Sequence, residues 1–432
     1  MSNKQKLDLI TLIILIGFGV AVAYHYVMGV YLGLPYPYNS FLFWPNGHFQ
    51  DFFNSIKWTD YVTAGTDVAM GYPPFSLVII FLFKSIQPKD TSFFFFVEIF
   101  IAFVLWFCYK NLNFLDKLSR WKNVFIIGFI SFPVLFTIDR GNWEVFVFIF
   151  LGLFVYFYAR QKTLFASIFL AMAIAAKIYP LFFILIFLAD RKYKETALTI
   201  LGALALTFVP LLFFHGSVAQ NLSILKTNVG LYYEQYALDN SGLNYGTSLF
   251  GFIKTGLLAY TVKIGFDKPY FMRIVHTIAP WYSVFVLACY ALLAFFVLFI
   301  EKAFWRKILL ITVAGLLLPQ VTADYRLIHL LIPMLLFINY DRQFSKIDAL
   351  LSVVFGLLLI PKNYLLLNSA AEFVSGRPVS PFLYDGIVID PILLIILAAI
   401  TVVCGWREYR PGAAKQKFAE YNNDIKKFFR LV

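Results

Sequence analysis

The sequence predicts an all-α polytopic membrane protein of about 12 transmembrane helices, with interfacial helices in the loops of one face. Three observations predict it. Apolar runs about twenty residues long recur along the chain, the length needed to cross a bilayer core. The composition is 61% hydrophobic and 14% charged, with mean hydropathy +0.76, where a soluble domain is about a quarter charged. Basic residues also gather in alternate connections between the runs, as the positive-inside rule requires. No polar, periodic segment is long enough to bury a core of its own. Residues 1–406 therefore read as a single membrane domain, and 407–432 as a basic tail.

The first apolar segment, Leu7 to Gly33, is too long for a signal-peptide core and lacks a convincing cleavage site, so 8–33 is read as a span. The next spans are 91–109, 123–138, 143–159, 163–177, 180–190 and 195–214. The last five are 277–300, 307–321, 327–340, 347–366 and 386–406. Segments 74–87 and 246–266 are also apolar. They are read as interfacial or re-entrant helices, because counting either one alone as a span breaks the charge pattern. With the N-terminus inside, the inner connections and tail carry 23 of the 36 Lys and Arg residues. The long segments 34–90, 215–276 and 367–385 then share the outer face. Both termini are expected in the cytoplasm of a plasma (inner) membrane protein, with the functional mouth toward a periplasm or the cell exterior. The tail, with Phe418, Phe428 and Phe429, reads as an amphipathic segment on anionic lipid or as a solvated one.

Several function classes are excluded. The net charge of +12 tracks the loops, so it is not a nucleic-acid signal. Cys108, Cys289 and Cys404 are scattered through apolar spans and suggest neither disulfides nor a metal site. The 51 Phe read as packing and lipid-facing residues. There is no P-loop, dinucleotide fingerprint or HExxH, so cytosolic nucleotide chemistry is unsupported, and neither a cofactor nor a metal is called for.

Chemistry is expected in the polar, aromatic stretch from Trp44 to Pro74, which holds Asp51, Asp60 and Asp67. Asp51 follows the first span among Phe49, Phe52 and Phe53. An acid so flanked at a membrane surface can serve as a general base, or it is a solvated loop acid or helix cap. Tyr72-Pro73-Pro74 fixes φ twice and launches a helix. Asp139-Arg140-Gly141-Asn142 is a tight outer turn, with Glu144 in the helix that follows. Glu98 lies inside an apolar run and is expected to pair with Arg140 or Lys177. Lys177-Ile178-Tyr179-Pro180 lies between two short spans at the outer side, and Asp324-Tyr325-Arg326 and His329 stand on another outer turn and the following helix, where Arg326 and His329, three apart, share a face. Lysine, arginine and histidine converging there would make a phosphate site; taken singly, each is equally a snorkelling or capping residue.

The order of these pieces resembles the GT-C membrane glycosyltransferases, and most of all glycosyltransferase family 87, which includes polyprenyl-phosphate-mannose-dependent mannosyltransferases. The resemblance rests on Asp51-Phe52-Phe53, Tyr72-Pro73-Pro74-Phe75, Arg140-Gly141-Asn142, Ala176-Lys177-Ile178-Tyr179-Pro180 and, more loosely, Asp324 to Leu331. The family often has Gly-Gln where this chain has Gly141-Asn142. The resemblance implies transfer, with inversion, of a sugar from a polyprenyl-phosphate donor to a lipid-linked or cell-envelope glycan. Asp51 would be the catalytic base. Lys177, Arg326 and His329 would hold the donor phosphate, and Tyr72, Arg140, Asn142, Glu144, Tyr179 and Asp324 would complete the substrate site. A secondary transporter or lipid flippase is the alternative, since Glu98 and Lys177 would suit a relay.

Overall fold

The computed structural model describes residues 2–43, 47–63, 68–239, 243, 246–263, 268–340, 343–363, 366–367 and 383–409. The helices in chain order are α1 (Ser2–Tyr26), α2 (Gln50–Thr63), α3 (Pro74–Lys84), α4 (Lys89–Asn111), α5 (Lys117–Phe125), α6 (Phe132–Arg140), α7 (Glu144–Ala159) and α8 (Thr163–Ala176). There follow α9 (Ile184–Ala189), α10 (Tyr193–Phe208), α11 (Val218–Tyr232), α12 (Leu249–Lys263), α13 (Lys268–Phe295), α14 (Phe304–Leu317), α15 (Leu331–Asn339), α16 (Lys346–Leu358) and α17 (Gly386–Arg407). One antiparallel pair, β1 (Leu366–Leu367) with β2 (Leu383–Tyr384), accompanies them. Most of the expected tail, 410–432, and Asp67 lie outside the described residues.

The local signals explain the helix ends. Pro73 and Pro74 start α3, where a missing N–H costs nothing. Asp116 caps α5 by accepting from the Leu118 and Ser119 amides at 3.1 Å. Ser345 and Asp348 form a reciprocal capping box on α16. The C-terminus of α16 comes earlier than the sequence pattern suggested. Lys362 folds back and donates to the carbonyls of Leu357, Leu358 and Ile360 at 2.9–3.4 Å, so the expected span 347–366 ends as a helix at Leu358.

The count of twelve transmembrane helices goes beyond what length and composition support. Among the described residues, five helical runs are long and apolar enough to cross a membrane: Ser2–Tyr31, Lys89–Asn111, Tyr193–Leu212, Pro269–Ile300 and Gly386–Arg407. A sixth exists if Lys117–Ile130 and Phe132–Arg140, bent by 48°, are one span. The other expected spans are shorter. A helix of 14 residues such as α14 rises about 21 Å, against a core of about 30 Å. Helix α14 is interior: every residue from Trp305 to Leu317 is buried, and a helix enclosed by protein does not need a run long enough to span lipid. The segments read as interfacial or re-entrant are indeed short helices, α3 and α12.

Helices α7, α8 and α10 pack in series, α1 lies on α16, and α14 contacts α15 and α17. The polar residues separate to two ends of this bundle. At one end Lys6 donates to the Tyr340 carbonyl at 2.7 Å, Asn339 to that of Asn111 at 2.7 Å, and Lys307 meets Asp190 at 3.6 Å. Arg306 is held there by Glu301 at 3.0 Å and by Glu408. Ring contacts of Trp305 with Tyr340 and of Tyr158 with Phe304 join these groups. All lie in, or at the span ends beside, connections expected on one face. Asp51, Asp139, Glu144, Lys177, Asp324 and Lys362 cluster at the other end, through contacts described next.

Candidate active site

Asp51 stands in the first turn of α2, where a carboxylate also favours the helix N-terminus. Phe49, just before the helix, adopts a left-handed φ of 59°, uncommon for a bulky residue. It is held there by its amide donating to the Asp139 carbonyl at 2.7 Å and by Phe93, 4.4 Å away between ring centroids. Phe52 stacks on Trp143 at 5.2 Å. The aromatic flanks read from the sequence therefore anchor the start of α2 against α4 and the turn after α6.

That turn reaches Asp51 with two donors. Arg140 forms an ion pair with the carboxylate, and Asn142 Nδ2 donates to its Oδ2 at 2.6 Å. The Arg140 guanidinium also lies 3.7 Å from the Phe43 ring centroid. Gly141 makes this possible. Its φ is +61°, and a Cβ there would come within 2.9 Å of the Phe52 Cβ. Asp139 turns the other way, to His48 and the Phe43 amide.

Asn142 also joins Asp51 to the second half of the site. Its Oδ1 accepts from the Glu144 amide at 3.0 Å. Glu144 has no exposed side-chain surface, yet it is the hub of the polar network. Lys177 Nζ is 2.5 Å from Oε2 and Arg326 Nε is 3.2 Å from the same oxygen. His329 Nε2 is 2.9 Å from Oε1, and the Tyr179 hydroxyl donates to that oxygen too. Lys177 comes from the extended residue ending α8, Tyr179 from the 3-10 turn Tyr179–Phe183. Arg326 and His329 both come from the 3-10 turn Asp324–Leu330. In a 3-10 turn residues three apart eclipse, so the two face the carboxylate together.

The formal charges do not cancel. Glu144 is met by Lys177 and Arg326, and Asp51 by Arg140. One positive charge is left over with His329 neutral. An anion fits that surplus, and a phosphate presents several oxygens to it. Tyr72 lies beside these cations, with Lys177 Nζ 5.6 Å from its ring centroid. Burial, helped by the Asp51 charge, pushes the Tyr72 phenol above its ordinary value, so it stays a neutral hydrogen-bonding group. Among the described residues, no three His, Cys, Asp or Glu side chains are grouped to hold a metal.

The chain is matched over residues 71–321, more than half its length, by the profile of glycosyltransferase family 87. It belongs to glycosyltransferase family 87. No curated protein and no solved structure matches this family 87 chain. The match includes Tyr72, Arg140, Asn142, Glu144, Lys177 and Tyr179, while Asp51, Arg326 and His329 lie beyond its ends.

The structure unites every sequence-derived site residue of this glycosyltransferase except Asp324. That side chain, 1% exposed, lies beside Asp390 and Lys362 instead. Glu98 is a correction. It is exposed on α4, and its two expected partners pair with Asp51 and Glu144. Asp60, a second loop acid, pairs with Lys84. Sequence reasoning did not single out Lys362 or Asp390. Asp390 carried a usable signal, an acid four residues into the apolar helix α17.

Proposed function

We propose that this family 87 enzyme moves a sugar, mannose or another hexose or pentose, from a polyprenyl-phosphate donor to a lipid-linked or cell-envelope glycan, with inversion. The observation that carries the reading is the surplus of cationic side chains around buried Glu144, joined through Asn142 to the carboxylate of Asp51. Asp51, a fifth exposed, can meet an acceptor; Glu144 cannot. The acceptor hydroxyl gives its proton to Asp51 as its oxygen bonds to the anomeric carbon. The bond from that carbon to the phosphate oxygen breaks, and its electron pair leaves with the phosphate. Lys177 and Arg326 meet the growing charge, with His329 and Tyr179 as further hydrogen-bonding groups. Arg140 and Asn142 hold Asp51 in orientation.

An apolar cavity of about 280 Å³, lined by Thr59, Leu77, Val78, Phe81, Pro210, Phe213 and Phe214, suits the first isoprene units. Helix α3, which supplies three of its lining residues, is also tied to the chain beside Lys177, where Ser76 donates to the Ala176 carbonyl at 2.6 Å. In this reading the short interior helices complete about twelve passes of a plasma-membrane protein. Both termini are cytoplasmic and the site faces the periplasm or cell exterior. A lipid-borne donor suits that side, which lacks nucleotide sugars. The transporter reading loses its relay, because Glu98 and Lys177 do not meet.

The test is sugar transfer by the purified protein in nanodiscs. Polyprenyl-phosphate sugars should be consumed with release of polyprenyl phosphate, and nucleotide sugars should be inert. Transfer from nucleotide sugars alone would overturn the donor assignment.

A further inference from the structure

Asp324 belongs to a second buried cluster, chemically separate from the Glu144 network. Its other members are Lys362 and Asn363, which follow α16, and Asp390, in the second turn of α17. Asp390 is 0% exposed, Asp324 and Asn363 1%, and Lys362 5%. The Lys362 ammonium is fully occupied. It donates to three carbonyls at the end of α16 and lies 3.0 Å from Asp390 Oδ1. A helix C-terminus favours a positive charge, and the Lys362 ammonium offsets one carboxylate. The other carboxylate leaves the cluster at a formal charge of −1, with no water-facing surface to disperse it. A fold does not carry such a charge uncompensated.

The oxygens show where compensation goes. Asp324 Oδ1, Asn363 Oδ1 and Asp390 Oδ2 have no hydrogen-bond partner. Gly386, at the start of α17, leaves a gap among these side chains. A Cβ placed on it would lie 3.4 Å from Asp390 Oδ2, 3.6 Å from Asn363 Oδ1 and 3.7 Å from Asp324 Oδ2. Acceptor oxygens from three elements thus lie within 3.7 Å of one point, two of them, Asn363 Oδ1 and Asp390 Oδ2, without a partner and the third on the same carboxylate as the unpartnered Asp324 Oδ1. The Thr247 and Thr322 hydroxyls, on neighbouring segments joined by the Thr247 amide to the Thr322 carbonyl at 2.9 Å, are also buried without partners.

We propose that this cluster binds one monovalent cation, a proton or a sodium ion, between Asp324 and Asp390. Two carboxylates, one already paired with Lys362, call for one further positive charge and not two. Occupancy makes the cluster neutral and ties the Asp324 turn to α17. The test needs no sugar substrate, so its failure leaves the transferase reading intact.

The full-length protein in nanodiscs is melted across sodium concentrations, with choline holding ionic strength constant, and separately across pH. Ligand linkage makes stability grow by about 1.4 kcal/mol for each tenfold rise in an occupant above its dissociation constant. A bound proton binds the folded form more tightly than the unfolded chain, so its stabilisation is present at low pH and lost as pH rises. Asp385, whose carboxyl is pushed up to about 6 by burial, also contributes to a pH response. It is common to wild type and variant, so the difference between them is what is read. Asp324→Asn supplies neutrality permanently. A sodium response abolished by Asp324→Asn identifies sodium, and a pH response so abolished identifies a proton. Responses shared unchanged by wild type and Asp324→Asn overturn the proposal. If that variant does not assemble, wild type is assayed for equilibrium binding of radioactive sodium and for the infrared carbonyl band of a protonated carboxyl. Either signal supports the site, and absence of both overturns it.

Discussion

Glu144→Gln is the perturbation that the network makes most informative. Glutamine keeps the shape of Glu144 and removes its charge. The side chain is 0% exposed and meets Lys177 at 2.5 Å, Arg326 at 3.2 Å and His329 at 2.9 Å. The variant leaves two buried cations facing each other, and its amide nitrogen turns a donor toward donors. Removing one partner of a buried ion pair costs about 3–5 kcal/mol. Inorganic phosphate can take the place of the lost carboxylate charge. At about 100 times its dissociation constant it would return about 2.7 kcal/mol. The cysteines supply the assay, since Cys108 and Cys404 are buried and Cys289 is partly so. A thiol-reactive dye reports their exposure as the protein is heated in nanodiscs. The expected result is an apparent Tm several degrees lower, partly restored by phosphate and more so than in wild type. Unchanged melting, or equal stabilisation of both proteins by phosphate, would refute the hub.

Three further outcomes are expected. Arg326→Ala removes a charge-assisted contact worth about 1.5–3 kcal/mol, so KM for a lipid-phosphate sugar should rise about 10- to 150-fold, measured by steady-state transfer. Gly141→Ala places a Cβ within 2.9 Å of Phe52 at φ +61°. It should lose about 1–2 kcal/mol from the left-handed backbone alone, read as a lower Tm together with slower turnover as Asn142 shifts. Single cysteines at Gln50 and Ser345, in a background without the native three, should label from opposite sides of the membrane; labelling from one side would contradict the assigned topology.

The helical character was legible because apolar runs dominate the chain, and the two short helices α3 and α12 were legible from the charge pattern. Span length was not. Interior helices such as α14 are apolar on every face and meet protein rather than lipid, so hydropathy marks them without telling how far they reach. The sequence reads Asp324–Arg326 as a turn and 327–340 as one span, whereas Asp324–Leu330 forms a 3-10 turn that contacts α6 and α7. Within the site, the meeting of Lys177, Arg326 and His329 was foreshadowed by residue type and side of the membrane. That Glu144 gathers them was not, since a glutamate after a tight turn looks like any helix-start acid. Asp324 was grouped with Arg326 by sequence proximity, but the turn between them sends their side chains to different clusters. Lys362 escaped notice because its partners are helix-end carbonyls, which have no sequence signature.

The most direct measurement is transfer by Asp51→Asn. General-base catalysis contributes about a hundredfold or more, and asparagine keeps the shape of the side chain. With purified protein and a polyprenyl-phosphate sugar, turnover should fall by about a hundredfold or more with donor binding close to wild type, and because Asp51 is a fifth exposed where Glu144 is fully buried, the Tm should fall less than in Glu144→Gln. Near-normal turnover in Asp51→Asn would contradict the assignment of the base.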